Sequence, residues 1–217
     1  MKLLCITDIH QRMTHVEKLV SDDPSCDVVI VAGDITNFGG AKEAAIILGA
    51  LSKIGGDLLV VPGNCDKYGV NDYLAESGFG IHGGGRVIAD VGFFGVGGSN
   101  LTPFGTPQEY SEDDINGLLV KGYEKVAESD VKVLVSHPPP YSTDLDRTSA
   151  GQHVGSRSVR HFLDGHEIDL VVTGHVHESK GVTKIEKTTL LNPGPLPTGY
   201  AIVEIGEGDV EIEFHVL

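Results

Sequence analysis

The sequence predicts an α/β chain with α+β character: a four-layer αββα sandwich, two mixed β-sheets packed face to face with helices outside, in one domain over residues 1–217. Three observations carry that prediction. Between Lys2 and Val61, apolar runs alternate with helix-forming segments in a βαβαβ rhythm, which goes with parallel strands under crossover helices. From Val182 to Val216 the runs are short, alternating and separated by turns, as in an antiparallel meander. Five polar motifs each follow the end of an apolar, strand-like run, and that edge of an α/β sheet is where ligands bind.

The elements follow in order. Lys2 to Thr7 is a buried strand that ends at Asp8. Thr14 is the expected cap of a short helix with Val16, Leu19 and Val20 on one side. Asp27–Ala32 is a second strand. Ala41–Lys53 is a helix stopped by Gly55-Gly56, and Asp57–Val61 is a third strand. Arg86–Asp90 and Val91–Val96 read as an antiparallel pair, followed by a Gly/Pro/Thr-rich loop from Gly97 to Gln108. Ser111 opens a helix expected to reach about Ser129, with Glu112, Asp113 and Asp114 at the positive end of its dipole. Val131–Val135 is a strand, Tyr141–Gly155 an irregular polar loop, and Ser156 caps a helix over Arg157–Leu163. Ile168–Thr173 is the last buried strand before the closing meander of Val182–Glu186, Thr188–Asn192, Tyr200–Ile205 and Val210–Val216.

The motifs are Asp8-Ile9-His10, Gly33-Asp34, Gly63-Asn64-Cys65-Asp66, Ser136-His137 and Gly174-His175-Val176-His177. Taken singly they are weak: Gly33-Asp34 and Pro62-Gly63-Asn64 suit ordinary turns, and His137 before three prolines suits a loop. Together Asp8, His10, Asp34, Asn64, His137, His175 and His177 form the inventory of a site for two divalent metal ions, whose main chemistry is phosphate ester hydrolysis. Residues two apart in extended chain point the same way, so Asp8 can act with His10, and His175 with His177.

The ordered string DxH…GD…GNCD…SH…GHxH resembles the calcineurin-like metallophosphoesterase superfamily, in its small prokaryotic branch with GNC in place of GNH. The match runs from residue 8 to residue 177, and Asn192-Pro193-Gly194 resembles a late turn of small members. The resemblance implies that Asp8, His10 and His177 bind one metal, that Asn64, His137 and His175 bind a second, and that Asp34 bridges both. It implies hydrolysis of a phosphodiester or nucleotide-like ester by a metal-bridging hydroxide, with Asp34, Asn64 and Cys65 as catalytic positions. Mn²⁺ is the first expectation for the two ions, and Fe, Zn²⁺ or Ni²⁺ also suit the oxygen and nitrogen donors. Cys65 departs from the usual His, which is thought to assist the leaving group. A thiol is a poor stand-in for imidazolium, so the leaving group would be protonated by solvent or expelled as an anion, or Cys65 would sit near the metals without binding them.

His153, in a loop able to cover the site, is the candidate substrate contact. Asp66 could orient the site from behind or cap a turn. His82 reads as a loop residue, and His15, His161, His166 and His215 read as surface or packing residues. Arg157 and Arg160 could meet a phosphate but are better explained as a solvated helix face.

A net charge of -15 argues against a nucleic-acid partner, whose phosphates it would repel, and weakens a nuclease reading. The partner expected instead is a small phosphorylated substrate. Three scattered cysteines argue for a reducing compartment, and no run is long enough to span a membrane, so the expected place is the cytoplasm. A protein-interaction scaffold of the same branch is the competing reading, marked by loss of a metal-binding His, and here His137, His175 and His177 are all present.

Overall fold

A computed structural model describes residues 1–206 and 209–217. The elements are β1 (Lys2–Ile6), α1 (Met13–Asp22), β2 (Val28–Ala32), α2 (Ala41–Leu51), β3 (Asp57–Val61), α3 (Gly69–Ser77), β4 (Gly84–Ile88), β5 (Val91–Val96), β6 (Ser99–Asn100), β7 (Glu109–Tyr110), α4 (Glu112–Tyr123), β8 (Val131–Ser136), α5 (Arg157–Gly165), β9 (Leu170–Thr173), β10 (Gly181–Ile185), β11 (Thr188–Asn192), β12 (Tyr200–Ile205) and β13 (Val210–His215). One sheet runs β13, β12, β1, β2, β3, and the other runs β10, β11, β9, β8, β5, β4. Within them β1, β2 and β3 are parallel, as are β5, β8, β9 and β11; antiparallel strands close three of the four edges, and the parallel β3 is the fourth.

Strand periodicity builds the layers. Leu3 and Cys5 of β1 point between the sheets, with Val28, Ile30, Leu59 and Val61, against Phe93, Val133, Val135, Leu170 and Val172. Leu4 and Ile6 point the other way, onto Val16, Leu19, Leu48 and Leu74 of the first helix layer. On the far side Phe94, Leu134 and Val171 meet Ile115, Leu119, Val159 and Phe162 of α4 and α5. Each such buried side chain contributes roughly 1.5–3 kcal/mol, and three apolar layers hold the sandwich rigid around its strand ends. The predicted four-layer αββα arrangement is the observed one.

The structure corrects local expectations in four places. The closing strands are not one meander: β10 and β11 join the second sheet through β9, whereas β12 and β13 join the first through β1. Alternation specifies a hairpin but not the sheet that receives it. Thr14 does not cap α1. His10 and Gln11 take left-handed φ of 45° and 59°, and the chain enters the helix from that turn at Arg12. The helix from Ser111 stops at Tyr123, short of Ser129, although its capping by Ser111 holds, with Asp114 N–H donating to Ser111 Oγ at 3.1 Å. The α3 helix has no counterpart among the expected elements. It buries only Val70 and Leu74, too few to produce a period, and packs on α2.

His82 is a loop residue, as expected, with a structural task. Its Nδ1 accepts the Gly97 N–H at 2.8 Å, and burial, with Lys121 nearby, pushes its pKa down to about 4. The neutral ring therefore supports the fold above pH ~6.5, its unfolded value, and that support is lost as pH falls through about 4. We expect His82→Asn, which keeps an acceptor, to flatten the decline in Tm between those pH values. The difference should correspond to roughly 2–3 kcal/mol, followed by thermal unfolding at stepped pH.

Candidate metal centre

The parallel strands β1, β2 and β3 of one sheet and β8 and β9 of the other deliver their carboxyl ends to one place. Asp8, Asp34, Asn64, His137 and His175 lie just beyond those ends, and His10 and His177 follow two residues later. The backbone there is crowded. A Cβ on Gly63 would overlap Asp34 Oδ1, and one on Gly174 would overlap Thr7 Oγ1, so glycine is required for the loops to meet. Asp8, His10, Asp34 and His175 take φ of 51°, 45°, 49° and 69°, left-handed values that cost non-glycine residues energy and concentrate at functional sites.

Two groups of donors result. In the first, His10 Nε2 lies 3.2 Å from His177 Nε2, His177 Nε2 lies 3.2 Å from Asp8 Oδ1, and His10 Nε2 lies 3.5 Å from Asp34 Oδ2. In the second, Asn64 Oδ1 lies 3.1 Å from His137 Nε2 and 2.9 Å from His175 Nδ1, and His137 Nε2 lies 3.5 Å from Asp34 Oδ1. Donors each ~2.1 Å from one ion, at octahedral or tetrahedral angles, stand about 3.0–3.4 Å apart. The pairs above, at 2.9–3.5 Å, lie around that spacing, and His10 Nε2 stands slightly farther, 3.9 Å, from Asp8 Oδ1. The two oxygens of Asp34 face one group each.

Two further observations test the fit of a cation. Asp8 Oδ1 is buried and has no hydrogen-bond partner, with His177 Nε2 3.2 Å away. His137 Nδ1 lies 2.7 Å from the Ala32 carbonyl, which can only accept, so Nδ1 carries the proton. Nε2 of the neutral ring then turns its lone pair toward Asn64 Oδ1 and Asp34 Oδ1, an arrangement of acceptors that a cation relieves. Burial holds the His137 pKa down, and burial with His137 nearby brings His175 down to about 4, so both rings keep lone pairs at neutral pH. Burial and the adjacent Asp8 raise the Asp34 pKa. Against the cost of burial, the imidazoles of His177, His137 and His10 bring Asp8 down to about 2.

Residues 1–179 match the family described as Calcineurin-like phosphoesterase. The chain belongs to that family. A calcineurin-like phosphoesterase is a metal-dependent phosphoester hydrolase, and the donor groups above fit such a centre. The chain is 38% identical over 202 residues to an uncharacterized protein of Methanocaldococcus jannaschii, covering 90% of this chain and 88% of the relative. Its fold is similar to that of a Thermus thermophilus protein, TT1561, with a TM-score of 0.77, 18% identity and 98% of each chain covered. It is also similar to a dimetal phosphatase from Danio rerio, with a TM-score of 0.65, 10% identity, and 99% and 96% of the two chains covered.

The phosphoesterase centre is braced by residues whose sequence signals were weak. Asp66 is fully buried and accepts from Thr36 N (2.7 Å), Thr36 Oγ1 (2.7 Å), Gly63 N (2.8 Å) and Ile35 N (3.2 Å), although burial and Asp34 lift its pKa to about 6. It thus ties the loop carrying Asp34 to the turn carrying Asn64. The expected loop from Gly97 contains β6 and, just beyond it, β7. Burial of Glu109 is outweighed by hydrogen bonds from Thr102 and Thr106, which draw its carboxyl down to about 2. Thr106 Oγ1 donates to Glu109 at 2.7 Å and so accepts from Asn64 Nδ2 at 3.0 Å, which turns Asn64 Oδ1 toward the histidines.

Cys65 adjoins His10 and Asp34, and burial, then the Asp34 charge, push its thiol well above the usual range. Beside the second donor group opens a cleft of about 460 Å³, lined by Asn64, His175, His153 and Arg157 and walled by the exposed Leu101 and Phe104. Arg157 is not simply a solvated face: its guanidinium lies 4.0 Å above the Tyr141 ring at the cleft. Arg160 pairs with Asp164 at 2.9 Å and is the surface residue expected.

Proposed function

We propose that this protein is a two-metal hydrolase of phosphodiester or nucleotide-like phosphate esters. The observation that carries the reading is Asp34, whose two carboxylate oxygens each face a separate donor group of ion-compatible spacing. In the proposed assignment Asp8, His10 and His177 hold one ion, Asn64, His137 and His175 hold the other, and Asp34 bridges. Two divalent ions would polarise the phosphoryl oxygens and make a bound water acidic. Mn²⁺ is the first expectation, with Fe, Zn²⁺ and Ni²⁺ compatible with the same donors. The similarity to a dimetal phosphatase supports two ions.

The chain's own residues then divide the work. Asp34 and Asp8 provide the anionic charge that retains cations. His137 and His175 stay neutral through burial and offer lone pairs. Asn64, fixed by Thr106, adds a donor without a further charge that would repel phosphate. Cys65 stays a neutral thiol beside the centre, contributing to catalysis by shape rather than by proton transfer. The cleft takes the organic part of the ester, Leu101 and Phe104 supply apolar area, and His153 contacts the substrate. The partner is a small phosphorylated molecule. The net charge of -15 disfavours nucleic acid. Three free cysteines support a reducing, cytoplasmic setting, and no helix among the described residues is long and apolar enough to cross a membrane.

The test is hydrolysis of bis(p-nitrophenyl) phosphate and p-nitrophenyl phosphate after chelation, with one metal restored at a time. The expected result is no turnover in chelator, recovery with Mn²⁺, and faster reaction of the diester. Hydrolysis indifferent to chelation would overturn the assignment.

A further inference from the structure

A poor leaving oxygen needs a proton as its bond to phosphorus breaks. The residue beside Asn64 is Cys65, a thiol rather than an imidazole, and the rings of His137 and His175 are committed to the centre. One other imidazole lines the cleft next to Asn64 and His175, namely His153. Its setting is constructed. Asp146 is fully buried in the loop after β8, and its carboxylate accepts the N–H groups of Ser142 (3.0 Å), Thr143 (2.9 Å) and Gly155 (3.0 Å). The same carboxylate lies 2.6 Å from His153 Nδ1. Saturated with backbone donors, Asp146 is an anchored acceptor, so Nδ1 carries a proton and Nε2 is the nitrogen free of that bond. A buried carboxylate on one ring nitrogen fixes the orientation and tautomer of an imidazole that moves protons through the other.

We propose that His153, oriented by Asp146, donates a proton from Nε2 to the leaving oxygen of an ester bound in this cleft. The inference rests on the phosphoesterase reading above. A water that gives one proton to solvent supplies the oxygen of the new P–O bond, the P–O bond to the leaving group breaks, and its electron pair takes the Nε2 proton of the doubly protonated ring to give the alcohol. The imidazole then regains a proton from solvent. His153 is the catalytic residue of this step, and Asp146 a positioning residue. The expected substrates are diesters of poorly acidic alcohols, with an apolar or ring-bearing organic part lying against Leu101 and Phe104.

The decisive measurement is leaving-group dependence in the Mn²⁺-loaded protein, with wild type and His153→Gln acting on p-nitrophenyl, phenyl and benzyl esters of methyl phosphate. Loss of a proton donor penalises poor leaving groups most, so the variant's loss of kcat on the phenyl and benzyl esters should exceed its loss on the p-nitrophenyl ester by about 30-fold or more. An equal loss on all three esters, or no loss, overturns the proposal. A second readout does not depend on turnover: the His153 ring resonances of the Zn²⁺-loaded protein should shift on titration with phenylphosphonate, and unmoved resonances count against it. Wild type inactive on every ester with every metal would instead overturn the phosphoesterase reading, whereas active wild type with an unaltered leaving-group slope in His153→Gln overturns only the role of His153.

Discussion

Asp34→Asn is expected to abolish hydrolysis while making the metal-free protein more stable. Asparagine has the same shape and keeps an oxygen for the Cys65 N–H, which donates to Asp34 Oδ1 at 2.8 Å. What it loses is one of the two anionic oxygens that face the separate donor groups. With the proposed bridge gone, turnover should fall on the order of 10³-fold or more. Metal-free, the balance reverses. Asp34 is buried beside Asp8, and its raised pKa means that its charged form opposes folding. Removing that charge should stabilise by about 1–3 kcal/mol, as when other poorly compensated buried charges are replaced. The sign can be checked with pH: a raised folded pKa means wild type regains stability as pH falls and Asp34 takes up a proton, so the two proteins should converge in acid. Urea unfolding in chelator at neutral and acidic pH, beside turnover with Mn²⁺ restored, measures both halves. A destabilised Asn variant would show that Asp34 is a structural carboxylate.

Asp66→Ala should have the opposite profile, with large effects on fold and function together. Four donors converge on this buried carboxylate: the N–H groups of Ile35, Thr36 and Gly63 and the hydroxyl of Thr36. Alanine leaves them without partners and without water. The cost should be about 3–5 kcal/mol, seen as a lower urea midpoint at an unchanged m value. Because the same bonds align the Asp34 and Asn64 loops, metal affinity should drop roughly 10–100-fold, as for other residues that orient ligands from behind. Asp66→Asn, which keeps one strong acceptor, should fall between. An Ala variant of near wild-type stability would mean that these loops are held by packing alone.

The strands and their polar ends were legible because burial leaves a plain trace: DVVIVA followed by Gly33-Asp34, or LVVT followed by Gly174-His175, can hardly read otherwise. The supporting residues were less visible. Asp146 lies in a stretch that reads only as an irregular loop, although Thr143-Asp144-Leu145-Asp146 has the spacing of a capping box, and Thr143 Oγ1 does accept the Leu145 N–H at 3.3 Å. Asp66 was visible beside Asn64, but whether it oriented the site or capped a turn depended on where Ile35 and Thr36 came to lie. Glu109 and Thr106 act on Asn64 through hydrogen bonds across more than forty positions of chain, and no local period encodes such a partner.

By itself the sequence determined the layered α/β class, the strand ends and the set of candidate donor residues, because these follow from local hydrophobic pattern and residue chemistry. Tertiary structure alone decided which sheet each closing hairpin joined, that the two oxygens of Asp34 would face different donor groups, and that His153, held by Asp146, would line one cleft with Asn64. The physical reason is that side-chain chemistry is carried by each residue, whereas distances of about 3 Å between residues far apart in the chain exist only after the apolar layers have closed.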